Sequence, residues 1–165
     1  MKKRALQLVL GTALVSVFGV SVLVGKLSAS NQSYAITEPY AYPVKPGTQT
    51  WIDMTPRERR ASCYVGEELA KQMTTQALIG TVLDYPYWVD VFAFDSFELG
   101  IRSVSSSFPP LSELLSREDA EKTLEQYTEG RSAYGEDGKV DLKTHGAQSL
   151  LLFIQQDAGG TTQLE

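Results

Sequence analysis

The sequence predicts an all-α protein: a small multi-helical domain of short capped helices, with the grain of a HEAT-like helical array, behind a signal or anchor segment and an extended arm. Three observations carry this prediction. Helix-start signals recur at Thr55-Pro56-Arg57-Glu58, Thr74-Thr75, Asp95-Ser96-Phe97-Glu98 and Ser116-Arg117-Glu118-Asp119. Between them, apolar residues fall at helical spacing. Prolines at 86, 109 and 110 cut the pattern into short lengths, because proline lacks an N–H and biases the residue before it away from the helical region.

The chain has 165 residues, room for one domain once its ends are set aside. Its formal net charge of -5 is unevenly spread. Lys2, Lys3, Arg4 and Lys26 lie in the first 30 residues with no acidic residue among them, leaving 11 basic against 20 acidic residues, a net charge of -9, for the remainder. A surface so negative repels phosphate backbones, so no nucleic-acid partner is expected. Arg57, Arg59 and Arg60 flank Glu58 and read as a solvated helix face.

Residues 1–30 read as a signal peptide or a membrane anchor. Met1-Lys2-Lys3-Arg4 precedes an uncharged apolar run, residues 5–24, and the small residues Ser28-Ala29-Ser30 follow it. These small residues favour cleavage after Ser30, with Ala35 as a later option, while the length of the run keeps an uncleaved anchor in view. Either way the basic flank sends the remainder across the membrane, so an extracytoplasmic location is expected, secreted or tethered. Residues 31–50, with Pro39, Pro43, Pro46 and Tyr34, Tyr40 and Tyr42, form a Pro/Tyr-rich extended arm. Its tyrosines suit either a partner-binding strip or a linker laid along the domain.

The helical domain is expected over residues 51–128. Thr55 caps a helix through Tyr64, Glu67 to Met73 forms another with Leu69, Ala70 and Met73 inward, and Thr74 or Thr75 caps a third burying Leu78, Val82 and Tyr85. That helix breaks at Tyr85-Pro86. The segment from Pro86 to Phe94, apolar almost all round except for Asp90, is expected to be the central, most enclosed helix. Asp95 then caps a helix with Phe97, Ile101, Val104 and Phe108 on one face, where Gly100 permits a close crossing. Pro109-Pro110 stops it, Leu111, Leu114 and Leu115 form a short apolar turn, and a last clear helix buries Ala120, Leu124 and Tyr127. Residues 129–147 read as a flexible connector, 148–156 as a short docked helix, and 157–165 as a loose tail.

A buried carboxylate needs a partner, and Arg102 and Arg117 are the candidates, so Asp90 is read as a structural ion pair joining two helices, or as an acid of raised pKa in a cleft. Tyr85, Tyr87 and Trp88, with Asp90, are the candidate ligand or partner contacts, although aromatics at this density more often make a core. Cys63, the only cysteine, forms no internal disulfide and reads as a buried inert thiol. Intermolecular pairing is the alternative, and a nucleophilic role would need His145. No phosphate-cradling, zinc or calcium motif is present, no cofactor or metal is expected, and no catalytic set is assembled.

The order Pro46-Gly47-Thr48 with Trp51, then Met73-Thr74-Thr75-Gln76-Ala77-Leu78-Ile79, Thr81-Val82-Leu83-Asp84-Tyr85-Pro86 and Leu114-Leu115-Ser116-Arg117-Glu118-Asp119-Ala120, resembles a family of uncharacterised secreted proteins of Gram-positive bacteria. The resemblance covers roughly residues 46–127. It implies export and a shared helical fold and carries no activity. The chain departs from it at Pro109-Pro110 and after Tyr127.

The expected function is therefore that of an exported, non-enzymatic helical module binding a protein, peptide or cell-envelope component. The alternative is a small hydrolase outside the cytoplasm that uses Asp90 with a second carboxylate, Asp84.

Overall fold

The computed structural model describes residues 34–135 and 137–160, with side chains to residue 157. The signal or anchor segment, residues 31–33 of the arm and the tail beyond residue 160 lie outside the described residues. The described chain is helical. Its elements are α1 (Gln49–Asp53), α2 (Pro56–Ser62), α3 (Glu67–Gln72), α4 (Thr75–Leu83), a 310 segment (Trp88–Ala93), α5 (Phe97–Ser105), α6 (Pro109–Leu115), α7 (Ala120–Thr128) and α8 (Leu142–Gly160).

The helix starts follow local chemistry. At α2 the Thr55 hydroxyl accepts the Glu58 N–H (3.3 Å), and Glu58 Oε2 accepts the Thr55 N–H (2.8 Å), a reciprocal cap. Thr74 caps α4 by accepting the Ala77 N–H at 3.2 Å. The cap of α5 is Ser96, not Asp95: its hydroxyl accepts from the Leu99 N–H at 3.2 Å, and Glu98 turns along the helix to pair with Arg102. Pro109 and Pro110 do more than stop α5. They occupy the first turn of α6, where a missing N–H costs nothing, so the expected apolar turn is a helix with Leu111 and Leu114 fully buried.

The central helix is α4 rather than the segment from Pro86 to Phe94. Thr75, Ala77, Leu78, Ile79, Thr81, Val82 and Leu83 are all buried, and α4 packs against α6, α7 and α8. Burying Leu78, Ile79 and Val82 stabilises the fold by about 1.5–3 kcal/mol each. The polar member, Thr81, is fully buried because its hydroxyl donates to the Ala77 carbonyl (2.8 Å) and accepts from the arm.

The arm is part of the domain. The N–H groups of Ala35 and Ile36 both donate to Gln72 O at 3.0 Å, and Thr74 N–H donates to Ile36 O at 2.8 Å, making a one-residue parallel bridge between Ile36 and Met73. Further along, Tyr40 N–H donates to the Thr81 hydroxyl (2.9 Å) and the Tyr42 hydroxyl donates to Thr81 O (3.0 Å). Pro39 lies on Gly80, where a Cβ would come within 2.5 Å of its ring. Tyr42 and Val44 are buried, so the arm seals one side of α4.

The expected connector and short docked helix are also revised. Tyr134 and Val140 bridge across a tight turn in which Gly138 takes φ +73°, and α8 then begins at Leu142, running 19 residues through positions assigned to connector, docked helix and tail. Asp141 starts it: its carboxylate accepts the Lys143 N–H (3.1 Å) and the Thr144 hydroxyl (2.6 Å), which hold its pKa below the usual range. Thr144, Ala147 and Leu150 face inward, and α8 packs on α7 and α4.

Candidate functional site

After α4 the chain turns through Asp84 to Tyr87 and enters the 310 segment, with Trp88 N–H donating to Tyr85 O (2.8 Å) and Asp90 N–H to Tyr87 O (2.9 Å). A 310 turn repeats every three residues, so side chains three apart eclipse. Trp88 and Val91 consequently point inward, and Val89 and Phe92 point out together. Of the run expected to be enclosed, Val89 is 52% exposed, Phe92 40% and Phe94 43%, whereas Trp88 is 3% and Val91 0% exposed. The predicted all-round burial is thus corrected to burial of one edge.

That edge is held tightly. The Trp88 indole lies on Gly146 of α8, where a Cβ would collide with its Nε1, and it meets Phe92 edge-on with ring centroids 6.5 Å apart. Phe92 in turn packs against Phe97 (5.4 Å) and His145 (5.5 Å). The exposed apolar side chains therefore stand on a rigid base, flanked by Asp90, half-buried, and Asp95, exposed.

Tyr85 and Tyr87 belong to a different cluster. Rings run from Tyr40 to Tyr42 (5.0 Å), Tyr85 (6.0 Å), Tyr87 (5.8 Å) and Trp51 (5.5 Å), and Tyr85 stacks on buried Phe108 at 3.9 Å. Burial pushes the Tyr85 hydroxyl up to about 12, and that of Tyr42 higher still. Arg60 covers Tyr87 and Arg59 covers Trp51, the latter also donating to the carbonyls of Trp51 (2.6 Å) and Ile52 (3.0 Å). This cluster joins the arm, α1 and α2 to the turn after α4. Tyr85 and Trp88 are packing residues here, and Tyr87 keeps only a half-buried edge under Arg60.

The expected ion pair of Asp90 with Arg102 and Arg117 does not form. Arg102 pairs with Glu98 (3.0 Å) and Asp157 (3.2 Å), tying α5 to α8. Arg117 is nearly buried, donates to Glu113 Oε1 (2.6 Å) and to the carbonyls of Lys71 and Met73, and lies 4.0 Å from the ring centre of Tyr34. Both arginines have a carboxylate four residues earlier in the chain, Glu98 on the same helix as Arg102 and Glu113 in the last turn of α6 just before Arg117, and Asp90 is only half-buried, so desolvation does not force a pairing. Asp84, the second carboxylate of the hydrolase alternative, is paired with Lys143.

Cys63 is buried, and burial pushes its thiol up, which suits a packing role. Among the described residues no group of three His, Cys, Asp or Glu side chains is placed to hold a metal ion, and no helix is long and apolar enough to cross a membrane. Sequence reasoning missed Val89, Phe92 and Phe94 as surface residues. A three-residue period after Pro86 was the signal that separates Val89 and Phe92 from Trp88 and Val91, whereas Phe94 is exposed because the segment ends there and the backbone turns extended.

Comparison with protein-family models, curated proteins and solved structures finds no match.

Proposed function

We propose that the chain is an extracytoplasmic helical binding module that holds a protein or peptide segment on the face formed by Val89, Phe92 and Phe94. The observation that carries this reading is the exposure of three large apolar side chains within six residues, on a segment whose other edge is locked against α8 and α5. Apolar side chains so grouped stabilise a complex when covered and disfavour solvation when left open. Asp90 and Asp95 flank the face, and the chain beyond residue 30 carries a net charge of -9. The complementary partner is therefore a segment with apolar side chains bordered by lysine or arginine.

The export signal in residues 1–30 and the resemblance to secreted proteins of Gram-positive bacteria support a site of action outside the cytoplasm, on a cell-envelope component. The hydrolase alternative draws less support, because Asp84, its second carboxylate, is engaged by Lys143.

The test compares the wild-type chain with the Val89→Ser/Phe92→Ser double variant for retention of solubilised envelope proteins. Val89 is 52% exposed, whereas the Phe92 ring also rests on Trp88, Phe97 and His145, so the variant keeps its helical circular dichroism but melts below the wild type, and retention is compared at a temperature where both chains are folded. Loss of a partner recovered by the wild type supports the reading. Equal recovery of the same proteins by the two chains overturns it.

A further inference from the structure

At the far end of α5 from the apolar face, the last turn of α5, the start and end of α6 and the start of α3 enclose a cleft of about 480 Å³. Its walls are unusually rich in hydroxyl groups, and the hydrogen bonds of those hydroxyls decide what the cleft can bind. Ser105 donates to Arg102 O (3.0 Å), Ser106 to Ser103 O (2.7 Å), Ser107 to Val104 O (3.3 Å) and Ser116 to Glu113 O (2.7 Å). Each proton is committed to the backbone three residues earlier. What remains on these oxygens is acceptor capacity.

The two carboxylates of the cleft have the same sense. Glu113 gives one carboxylate oxygen to Arg117, and Glu67 gives one to Lys71 (2.7 Å), leaving the second oxygen of each as an acceptor. The C-terminal end of α5, a helix of nine residues, adds the negative end of its dipole, opposed by the first turns of the shorter α3, which carries Glu67 and Glu68, and α6, whose first two residues are prolines without an N–H. At the rim stands Tyr64, 65% exposed and resting on Gly66. Elsewhere Trp51, Tyr87, Tyr34, Tyr127 and Phe153 each carry an arginine over the ring, whereas among the described residues no arginine or lysine lies over Tyr64.

We propose that this cleft is a binding site for an organic cation, a primary ammonium or guanidinium group, that donates to the Ser105–Ser107 and Glu113 oxygens and lies against the Tyr64 ring. Such a group only donates, which matches walls that mostly accept, and its charge is attracted by the face of an aromatic ring. A sugar hydroxyl matches less well, because it both gives and takes and would turn its own lone pairs towards carboxylates. The cation has two sources, a free polyamine, which offers ammonium groups, or an arginine side chain of a peptide, which offers a guanidinium. The proposal rests on the cleft alone and stands apart from the apolar face.

The experiment titrates the full-length protein with spermidine and, separately, with N-acetyl-arginine amide, following backbone amide signals at about 0.15 M salt so that diffuse attraction to an acidic surface is screened. Saturable shifts confined to Ser105–Ser107, Ser112 and Ser116 are expected with at least one probe, and the probe that binds identifies the source. The exposed-site variants Tyr64→Leu and Glu67→Gln should weaken binding by about fivefold to tenfold, and Tyr64→Phe, which keeps the ring, should retain it. No saturable shift with either probe overturns the proposal. So do shifts spread over the acidic surface, or binding that Tyr64→Leu leaves unchanged.

Discussion

Gly100 lies flush against the backbone carbonyl of Val91, so close that a Cβ on Gly100 would overlap the carbonyl oxygen. The contact joins the middle of α5 to the buried edge of the 310 segment, and it decides how far that segment can sink. With α5 this near, Val91 is enclosed, while Val89 stays exposed and Phe92 keeps one side of its ring open above Phe97.

Substituting Gly100→Ala should therefore destabilise the protein, although alanine is the better helix former. Overpacking against backbone costs about 1–3 kcal/mol, which outweighs a helix-propensity gain of roughly 0.5–1 kcal/mol. Urea unfolding would show a lower midpoint with an unchanged slope. An unchanged or higher midpoint would mean that α5 and the 310 segment separate at little cost.

Arg117→Met should loosen the arm. The guanidinium reaches Glu113, two carbonyls at the end of α3 and the Tyr34 ring, and its side chain is only 6% exposed. Methionine fills part of the volume and makes none of these bonds, for a loss of about 2–3 kcal/mol, below the full cost of breaking a buried pair because Glu113 keeps access to water. Limited proteolysis should cut the variant between residues 34 and 45 well before the wild type. Arg102→Met, which removes two exposed ion pairs, to Glu98 and Asp157, should change stability by less than about 1 kcal/mol.

The buried tyrosines predict alkaline unfolding. The Tyr85 hydroxyl is raised from 10.0 to about 12 in the folded chain and Tyr42 is raised further, both chiefly by burial, so above pH 10 the unfolded chain loses these protons before the folded one does. With more protons bound in the folded state, the stability these groups contribute is whole below pH 10 and falls as pH rises towards about 12. Tyrosinate absorbance should accordingly appear in step with loss of helix. In Tyr42→Phe the hydroxyl bond to Thr81 is gone, costing about 1 kcal/mol at neutral pH, while the alkaline midpoint should fall less than that loss alone predicts. Ionisation of Tyr42 in a chain that is still fully helical would contradict this.

The helical class, the reciprocal cap at Thr55, the cap at Thr74 and the inward faces of α3, α5 and α7 were legible in the sequence, because each depends on contacts within a turn or two of the same helix. The start of α8 was legible in principle: Asp141 with Thr144 is a capping pattern, obscured by the glycines and charges that precede it. The candidate surface was misread because a helical period was applied to residues 86–94, and hydrophobicity alone does not distinguish an element enclosed all round from one enclosed along an edge.

What the chain by itself determined is therefore local: where helices begin, which stripe of each is apolar, and the acidic charge beyond residue 30. Which helix occupies the centre was decided only by tertiary packing, since α4 is enclosed by α6, α7, α8 and an arm that reaches Thr81 from about forty positions away. The partners of Asp90, Arg102 and Arg117 were decided there too. A charged side chain pairs with whatever carboxylate or arginine the packed backbone brings near, and competition between near and distant partners has no signature in residue order.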